Sequence, residues 1–355
     1  MNNFWRGRRV FVTGHTGFMG GWLASTLLAR GAEVHGYALD PPDGPSFFVA
    51  TRLADRLRNS TIGDIRDDAR LRSALLSAQP EIVFHLAAQS LVRAAHHAPI
   101  ETFSVNVMGT AQLLEEIRGI DSVRAALIVT TDKVYRNDNR ATPYRECDRL
   151  GGKEPYSASK ASSEFVVETW RHSYMRRHHV GVATIRAGNV IGGGDWAADR
   201  LVPDAIRSFS AGKPLVLRHP WATRPWQHVM DPVSGYLILA ERLTQGPEGL
   251  DAAWNFGPLS ADCRPVIDLA RLLAAAWGPE ATVLEEPADS IFEEALLALD
   301  SKYAETALGW RPRWRLDTAV RKTTEWYRAH GARRDMWELT QEQIEQFESA
   351  AGSLS

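Results

Sequence analysis

Two residues capable of acid–base chemistry lie four positions apart near the middle of the chain. Tyr156 and Lys160 share one face of a helix if a helix begins here, because residues at i and i+4 are one turn apart. An ammonium beside a phenol favours the phenolate and lowers the tyrosine pKa from about 10 toward neutrality. The pair predicts a base that removes a proton from a hydroxyl group. The bare spacing is more often that of surface residues on an amphipathic helix, and the preceding strand and the N-terminal residues favour the catalytic interpretation.

A polar segment precedes this pair and follows an apolar run. Leu127-Ile128-Val129 is short and rich in β-branched residues, which predicts a buried strand. Thr130, Thr131, Asp132 and Lys133 come where that strand ends. Side chains at the carboxyl end of a strand in an open α/β sheet face the ligand crevice, so these four are predicted to meet a ligand.

A glycine-rich turn near the N-terminus joins a strand to a helix. Arg9 to Thr13 is a β-branched and aromatic run, and apolar residues recur with helical period from Trp22 to Leu28. Glycines permit a tight turn and let the backbone approach a pyrophosphate at a helix N-terminus. We therefore predict that a dinucleotide contacts the turn residues Gly14, His15, Thr16, Gly17, Phe18, Met19 and Gly20.

Further cofactor contacts are expected at the ends of the next strands. Asp40 follows the second predicted strand, where an acid binds ribose hydroxyls, although the register also favours the position of Ala38. No Arg or Lys lies between Arg30 and Arg52 to receive a 2′-phosphate, which favours NAD over NADP. Asp64 is suited to the adenine amino group, or to capping a helix. The other predicted contacts are Ile65 and the strand-end residues Leu86, Ala87, Ala88 and Gln89.

Polar and aromatic clusters mark the C-terminal half, where the α/β alternation weakens. The segment from Ala187 to Trp196 combines glycines with an amide, an acid and an indole. Arg200 and Arg224 suit phosphate oxygens through charge-assisted hydrogen bonds, although each alone is more often a surface ion-pair partner. Together the clusters predict a second lobe that binds a phosphorylated substrate.

Composition excludes several functional classes. A net charge of −2 over 355 residues gives no basic surface for nucleic acid. Two cysteines cannot form a disulfide framework or a metal site, and we expect a reducing cytoplasm and no metal. The N-terminus lacks the apolar stretch of a signal peptide, and no segment is long enough to span a membrane. The adjacent histidine pairs His96-His97 and His178-His179 lack further ligands and are predicted to lie on the surface.

These elements predict an α/β fold, a Rossmann-type doubly wound parallel sheet with a smaller C-terminal α/β substrate lobe. Residues 1–186 are expected to bind NAD and to carry the Tyr156–Lys160 helix. Residues 187–355 are expected to form mainly the substrate lobe.

The glycine turn, the threonine-rich strand end and the Tyr–Lys helix occur in the order and spacing of the extended short-chain dehydrogenases. Within that superfamily the chain resembles the CDP-glucose 4,6-dehydratases over almost its full length. Lys133 favours this branch, because dTDP-glucose dehydratases typically carry an acid there. The matching segments are Gly14-His15-Thr16-Gly17-Phe18, Gly63-Asp64-Ile65-Arg66-Asp67, Leu91-Val92-Arg93, Thr131-Asp132-Lys133-Val134-Tyr135, the run from Arg186 to Trp196, and Arg224-Pro225-Trp226-Gln227-His228.

The resemblance implies that one bound NAD accepts a hydride from carbon 4 of a nucleotide hexose and later returns it. Tyr156, held as phenolate by Lys160, takes the proton of the 4-hydroxyl, and Thr131 hydrogen-bonds that oxygen. Lys133 then removes the proton on carbon 5, and Asp132 protonates the leaving 6-hydroxyl. The product is a 4-keto-6-deoxy sugar.

The resemblance also implies further contacts and an assembly. Arg93 and Asn189 contact the substrate with the two arginines named above, while Asn106 and Thr130 join Tyr156 in the cofactor site. The enzyme is expected to be a homodimer built from two helices of each subunit.

Three positions depart from the family pattern. Met19 replaces a lysine, Ala95-His96 replaces a Ser-Tyr pair, and Glu293 replaces a histidine. Two alternatives remain at this point, a nucleotide-sugar epimerase or dehydrogenase, and a catalytically silent NAD-binding scaffold. The Asp132-Lys133 pair argues against the first, and retention of both Tyr156 and Lys160 argues against the second.

Overall fold

The computed structural model describes residues 3–286 and 296–350. Glu293, one of the three departures, therefore lies outside the described residues. The strands are β1 (Arg9–Thr13), β2 (Glu33–Ala38), β3 (Asn59–Ile62), β4 (Ile82–His85), β5 (Ala125–Val129), β6 (Gly181–Ala187), β7 (Asn189–Ile191), β8 (Leu215–Leu217), β9 (Thr223–His228), β10 (Ala253–Phe256), β11 (Cys263–Pro265) and β12 (Val283–Glu285).

Helices connect most of these strands. They are α1 (Phe18–Ala29), α2 (Phe47–Ala50), α3 (Asp68–Ala78), α4 (Val92–His97), α5 (Pro99–Phe103), α6 (Gly109–Arg118), α7 (Pro155–Ser173), α8 (Leu201–Ser210), α9 (Met230–Gln245), α10 (Val266–Trp277), α11 (Lys302–Leu308), α12 (Leu316–Gly331) and α13 (Met336–Ser349). A π-helical turn, Ser104–Met108, joins α5 to α6.

The main sheet has seven parallel strands in the order β10-β6-β5-β4-β1-β2-β3. The chain moves outward from β1 to β3 and then returns to β4 on the other side of β1. This reversal opens a crevice beyond the carboxyl ends of β1 and β4, where open α/β sheets bind ligands. The predicted doubly wound Rossmann-type sheet is confirmed.

Both faces of this sheet are buried, which explains the continuous apolar strands. Val10 and Val12 point toward a core shared with α1 and α9, while Phe11 between them points toward a second core with α3, α6 and α7. Successive strand residues alternate between faces, so one short apolar run serves both cores.

The C-terminal lobe is smaller and mixed. In it, β7 and β9 pair in parallel, β9 and β11 pair antiparallel, and β8 pairs with β12. Strand β10, which also comes from this half of the chain, pairs with β6 in the main sheet. The C-terminal helix α13 packs against the main body, since its Leu339, Ile344 and Phe347 are buried in the core that α1 also lines. No helix in the described ranges is long and apolar enough to span a membrane.

Candidate active site

The glycines of the turn after β1 leave a concave backbone surface, and added side chains would clash with neighbouring backbone atoms. Gly14 has φ +77°, and a β-carbon there would lie 2.7 Å from the Ala87 nitrogen. A β-carbon on Gly20 would lie 2.1 Å from the Gly14 carbonyl oxygen. Gly17 begins α1 without a side-chain cap. The N–H groups of the first helical turn therefore suit a pyrophosphate, and this geometry fits the NAD predicted from the sequence.

Side chains within this turn mostly point into the protein. His15 is buried, its Nε2 lies 2.8 Å from the Ser60 hydroxyl, and burial lowers its pKa to about 4. The Thr16 hydroxyl donates to the Leu39 carbonyl at 2.9 Å. Phe18 and Met19 pack partly buried against the core. Contacts from His15 to a cofactor must therefore come from its backbone.

The predicted adenosine contacts lie after β2 and β3. Asp40 is exposed two residues beyond β2. Asp64 is held by Arg66, whose Nε and Nη2 donate to its two carboxylate oxygens at 2.9 and 2.6 Å and whose hydrogen bonds lower its pKa. The capping alternative for Asp64 is excluded, because Asp67 caps α3. Ile65 is buried beneath the start of α6.

The residues after β4 are fixed from both sides. The Thr13 hydroxyl accepts the N–H groups of Leu86 and Ala87, each at 3.1 Å. Ala88 follows half-buried, and the Asn106 amide accepts from the Gln89 nitrogen at 2.9 Å and donates to the Gln89 oxygen at 3.0 Å. Asn106 also donates to Ser159 on α7 at 2.9 Å. Its buried side chain thus connects the loop after β4, where the cofactor is predicted to bind, to α7.

A buried histidine missed by the sequence analysis extends this connection. His85 Nδ1 lies 2.8 Å from the Thr13 hydroxyl, and Nε2 lies 3.1 Å from the Thr110 hydroxyl. Thr110 donates its own proton to the Asn106 carbonyl, which assigns the His85 proton to Nε2. Burial and then the charge of Lys160 lower the His85 pKa to about 3. A polar residue ending an apolar strand was the available signal.

The predicted catalytic residues lie where β5 ends and α7 begins. Thr131 begins a 3₁₀ turn, Asp132–Val134, and its hydroxyl donates to the Asp132 carboxylate at 3.1 Å. Asp132 is buried and Lys133 is half-buried. Glu154 caps α7 by accepting the backbone N–H groups of its first turn, which places Tyr156 at the helix start. The structure brings Thr131, Asp132 and Tyr156 together.

Lys160 interacts differently with Tyr156 than the sequence predicted. Its Nζ donates to the Val129 carbonyl at 3.0 Å, and burial lowers its pKa to about 8. Burial raises the pKa of Tyr156 to about 12, against the hydrogen bond with Thr131 and the charge of Arg200, which lower it. The expected fall of the Tyr156 pKa toward neutrality is wrong for this arrangement, because desolvation of the phenolate outweighs the nearby charges.

Thr130 does not line the crevice as predicted. Its buried hydroxyl donates to Glu164 Oε1 at 2.6 Å and to the Ile185 carbonyl at 3.0 Å. Glu164 in turn accepts from Arg186 on β6. Thr130 therefore belongs to a polar network behind the site, and its assignment to the cofactor is wrong for the side chain.

The predicted substrate residues come from several elements of the chain. Arg200 donates to Asp195 at 2.9 Å and to Ser90 at 3.3 Å, and its charge acts on Tyr156. Arg93 forms an ion pair with Asp199 at 2.9 Å. Asn189 and Arg224 lie on the paired strands β7 and β9 of the smaller lobe, Asn189 half-buried and Arg224 buried. Arg218 near Asp199 was not predicted.

Comparisons with known proteins identify the family of the chain. A model of the NAD dependent epimerase/dehydratase family matches residues 10–257. A CDP-glucose 4,6-dehydratase of Salmonella typhimurium is 44% identical over 353 residues, which cover 98% of each chain. A probable dTDP-glucose 4,6-dehydratase of Sinorhizobium fredii is 28% identical, over 91% of this chain and 93% of that protein.

Solved structures share the fold. A dTDP-glucose 4,6-dehydratase of Bacillus anthracis in complex with NAD superposes with a TM-score of 0.76 at 18% identity, over 93% of this chain and 100% of that chain. A UDP-glucose 4-epimerase of Thermotoga maritima gives 0.76 at 22% identity, over 90% and 99%. The predicted NAD cofactor and enzyme class are confirmed. The chain belongs to the NAD-dependent epimerase/dehydratase family, as an NAD-dependent hydro-lyase of the nucleotide-sugar 4,6-dehydratase kind.

Proposed function

We propose that the protein converts CDP-D-glucose to CDP-4-keto-6-deoxy-D-glucose. The observation that carries this proposal is the position of Thr131, which hydrogen-bonds both Tyr156 and Asp132. One side chain thereby joins the group that begins oxidation at carbon 4 to the acid needed for loss of the 6-hydroxyl. The CDP-glucose substrate is supported by the 44% identical relative and by Lys133 after Asp132.

The first step is oxidation at carbon 4. NAD, when held by the glycine turn, supplies a hydride acceptor that later becomes the hydride donor. Tyr156 takes the proton of the 4-hydroxyl in its phenolate form, and Thr131 orients the same oxygen. Arg200 assists the phenol, since its positive charge lowers the Tyr156 pKa that burial raises. Lys160 fixes the end of β5 through the Val129 carbonyl.

Water loss follows, because a ketone at carbon 4 acidifies the proton on carbon 5. Lys133 takes that proton, the bond between carbon 6 and its oxygen breaks, and Asp132 gives a proton to the departing hydroxyl. Hydride return to carbon 6 and proton return to carbon 5 complete the 4-keto-6-deoxy sugar. Overall, the sugar loses one water and undergoes no net oxidation or reduction.

The test is incubation of the protein with CDP-glucose, dTDP-glucose and GDP-mannose, followed by mass spectrometry. CDP-glucose should give a product about 18 Da lighter, the mass of one water lost at a single catalytic centre. A product of unchanged mass would instead indicate epimerisation. Retention of NAD without turnover of any of these compounds would indicate a binding protein.

Two variants test the residue roles. Tyr156→Phe should lower kcat by about 10²–10⁴-fold, the usual contribution of a general base. Tyr174→Phe, at the other end of α7, is the matched control and should keep wild-type activity. Asp132→Asn should slow water loss while still allowing oxidation at carbon 4. Unimpaired water loss in Asp132→Asn would remove the proposed acid.

We also propose a homodimer that pairs α5 and α7 with their counterparts in a second subunit. Exposed apolar side chains support this, since Ile100 is 82%, Met108 57% and Phe165 56% exposed on neighbouring helices. Such a patch is typical of a protein interface. Light scattering should give about twice the chain mass, and Phe165→Glu should give the monomer. A monomeric wild type would contradict the assembly.

The division of labour along the chain is proposed as well. Residues 1–186 bind NAD and residues 187–355 mainly bind the nucleotide sugar, although β10 completes the main sheet from the second segment. Free Cys147 and Cys263 support a reducing cytoplasmic location.

A further inference from the structure

A buried acid lies one helical turn beyond Lys160. Glu164 is on α7, four residues after Lys160 and eight after Tyr156, so all three share a face of the helix. Its side chain is 5% exposed. Neither the sequence motifs nor the proposed mechanism gives this residue a role.

Four donors satisfy the Glu164 carboxylate. Arg186 donates through Nε to Oε1 and through Nη2 to Oε2, both at 2.9 Å. The hydroxyls of Thr130 and Thr184 donate at 2.6 Å, one to each oxygen. Burial opposes ionisation, but Arg186 and the two hydroxyls more than offset it, so the Glu164 pKa is lowered. The carboxylate is charged at neutral pH.

These donors come from the strands that carry the active site. Thr130 immediately follows β5 and immediately precedes Thr131, whereas Thr184 and Arg186 lie on β6. Glu164 therefore ties α7 to the ends of two neighbouring strands at the level of the catalytic residues. The distance between Tyr156 and Thr131 depends on that connection, because one lies on the helix and the other on β5.

Lys160 lies between this carboxylate and the catalytic tyrosine along the helix. Burial lowers the Lys160 pKa to about 8, and the charge of Glu164 raises it. His85 faces Lys160 from β4 and is neutral, and burial disfavours the anionic form of Tyr156. Of the groups facing Lys160, Glu164 is thus the anion that favours its ammonium.

We propose that Glu164 is a positioning residue for the dehydration: it aligns Tyr156 with Thr131 and keeps Lys160 cationic behind them. This inference rests on the proposed roles of Tyr156 and Lys160. A purely structural Glu164 would stabilise the fold without affecting the protonation of Lys160. The two possibilities differ in what happens when only the charge is removed.

The experiment is a titration of Lys160 by NMR in the full-length protein with lysine labelled at the ε-carbon. The chain has only six lysines, so the Lys160 signal is identified by its loss in Lys160→Arg. The wild-type signal should titrate near pH 8. In Glu164→Gln it should titrate about one unit lower or more, because an attractive charge is lost. The alkaline limb of the kcat profile should move down with it.

Two matched variants separate charge from geometry. Glu164→Asp keeps the charge on a shorter side chain, so the Lys160 signal should titrate within about half a unit of wild type while kcat falls. Thr130→Val removes one hydrogen bond to the carboxylate and keeps its charge, and should lower the melting temperature without moving the titration. If Glu164→Gln does not fold, Glu164→Gln/Arg186→Gln replaces it, because Arg186 is not among the charges acting on Lys160.

An unchanged Lys160 titration in the charge-free variant would overturn the proposal, as would an equal shift in Glu164→Asp. Neither result concerns the reaction itself. Different results would contradict the proposed function, namely full activity of Tyr156→Phe or the absence of a product lighter by one water. A shifted titration with unchanged kcat profiles would leave Glu164 coupled to Lys160 but remove its role in the reaction.

Discussion

Two fully buried carboxylates in this protein have opposite electrostatic surroundings. Glu164 lies under the active site and accepts two hydroxyls and a bidentate guanidinium. Asp231 lies in the first turn of α9, where Oδ1 accepts the backbone N–H groups of Arg313 at 2.6 Å and Trp314 at 3.4 Å. Among the described residues, Asp231 Oδ2 has no hydrogen-bond partner. The pKa of Glu164 is lowered, whereas burial raises that of Asp231 to about 7.

Burial is similar at the two sites, so the donors decide the charge. A guanidinium and two hydroxyls more than offset the desolvation of Glu164, whereas two backbone amides do not offset that of Asp231. Glu164 is therefore an anion at all pH values at which the protein would be assayed, and Asp231 carries a proton until the pH approaches 7. The difference between the two carboxylates leads to predictions whose expected effects on stability decrease in size.

Arg186→Met should have the largest effect. It leaves Glu164 as a buried anion without its counter-ion, since the two side chains are only 4% and 5% exposed. Breaking such a pair from one side costs about 3–5 kcal/mol. Thermal unfolding of the NAD-loaded protein measures the loss. Glu164→Gln/Arg186→Met, which removes both charges, should recover much of it, and a double variant as unstable as Arg186→Met would contradict the account.

Asp231→Asn should have a pH-dependent effect. The folded pKa is about 7 and the unfolded value is about 3.9, so the folded state binds more protons between these values, and stability falls as pH rises from about 4 to about 7 and then levels off. This group alone costs on the order of 2–4 kcal/mol at pH 8. The melting temperature of Asp231→Asn relative to wild type should therefore be higher at pH 8 than at pH 5. An equal difference at both values would mean that Asp231 is already ionised at pH 5.

The spacing of apolar residues and glycines along the sequence predicted the local elements of this fold. The glycine turn between β1 and α1 and the helical spacing of Tyr156 and Lys160 follow from nearby residues alone. The electrostatics of the site depend on distant ones. Thr130 meets Glu164, 34 positions away, and Arg200 meets Ser90, 110 positions away. Tertiary packing brings such distant residues together, and the periodicity of the sequence does not indicate which residues will meet.

The pKa of Tyr156 shows the same limit. The neighbouring lysine suggested a lowered value, but the degree of burial that raises it is a property of the assembled lobe. Arg200 from the loop before α8 acts on the phenol, although its sequence position suggested a phosphate contact or a surface ion pair. The same reasoning explains why Asn106, assigned to the cofactor, is a brace between Gln89 and Ser159.

Thr184→Val should have an intermediate effect that isolates one donor of Glu164. Valine keeps the shape and the strand preference of threonine but removes the hydroxyl that donates to Oε2 at 2.6 Å. A hydrogen bond to a charged group contributes about 1.5 kcal/mol at the lower end of its range. Thermal unfolding should show this loss in the wild-type background. In Glu164→Gln the same substitution should cost less, and an equal cost there would mean that the hydroxyl does not act through the carboxylate.

Glu285→Gln should have the smallest effect, because this acid is exposed. Glu285 ends β12 and pairs with Arg271 on α10 at 3.3 Å, with side chains 37% and 62% exposed. Water already solvates both charges, so the pair contributes between about 0 and 0.5 kcal/mol, and salt screens it. The melting temperature should change little at low salt and not at all at high salt. A loss as large as that of Thr184→Val would mean that the pairing of an acid, and not its burial, sets its energetic weight in this protein.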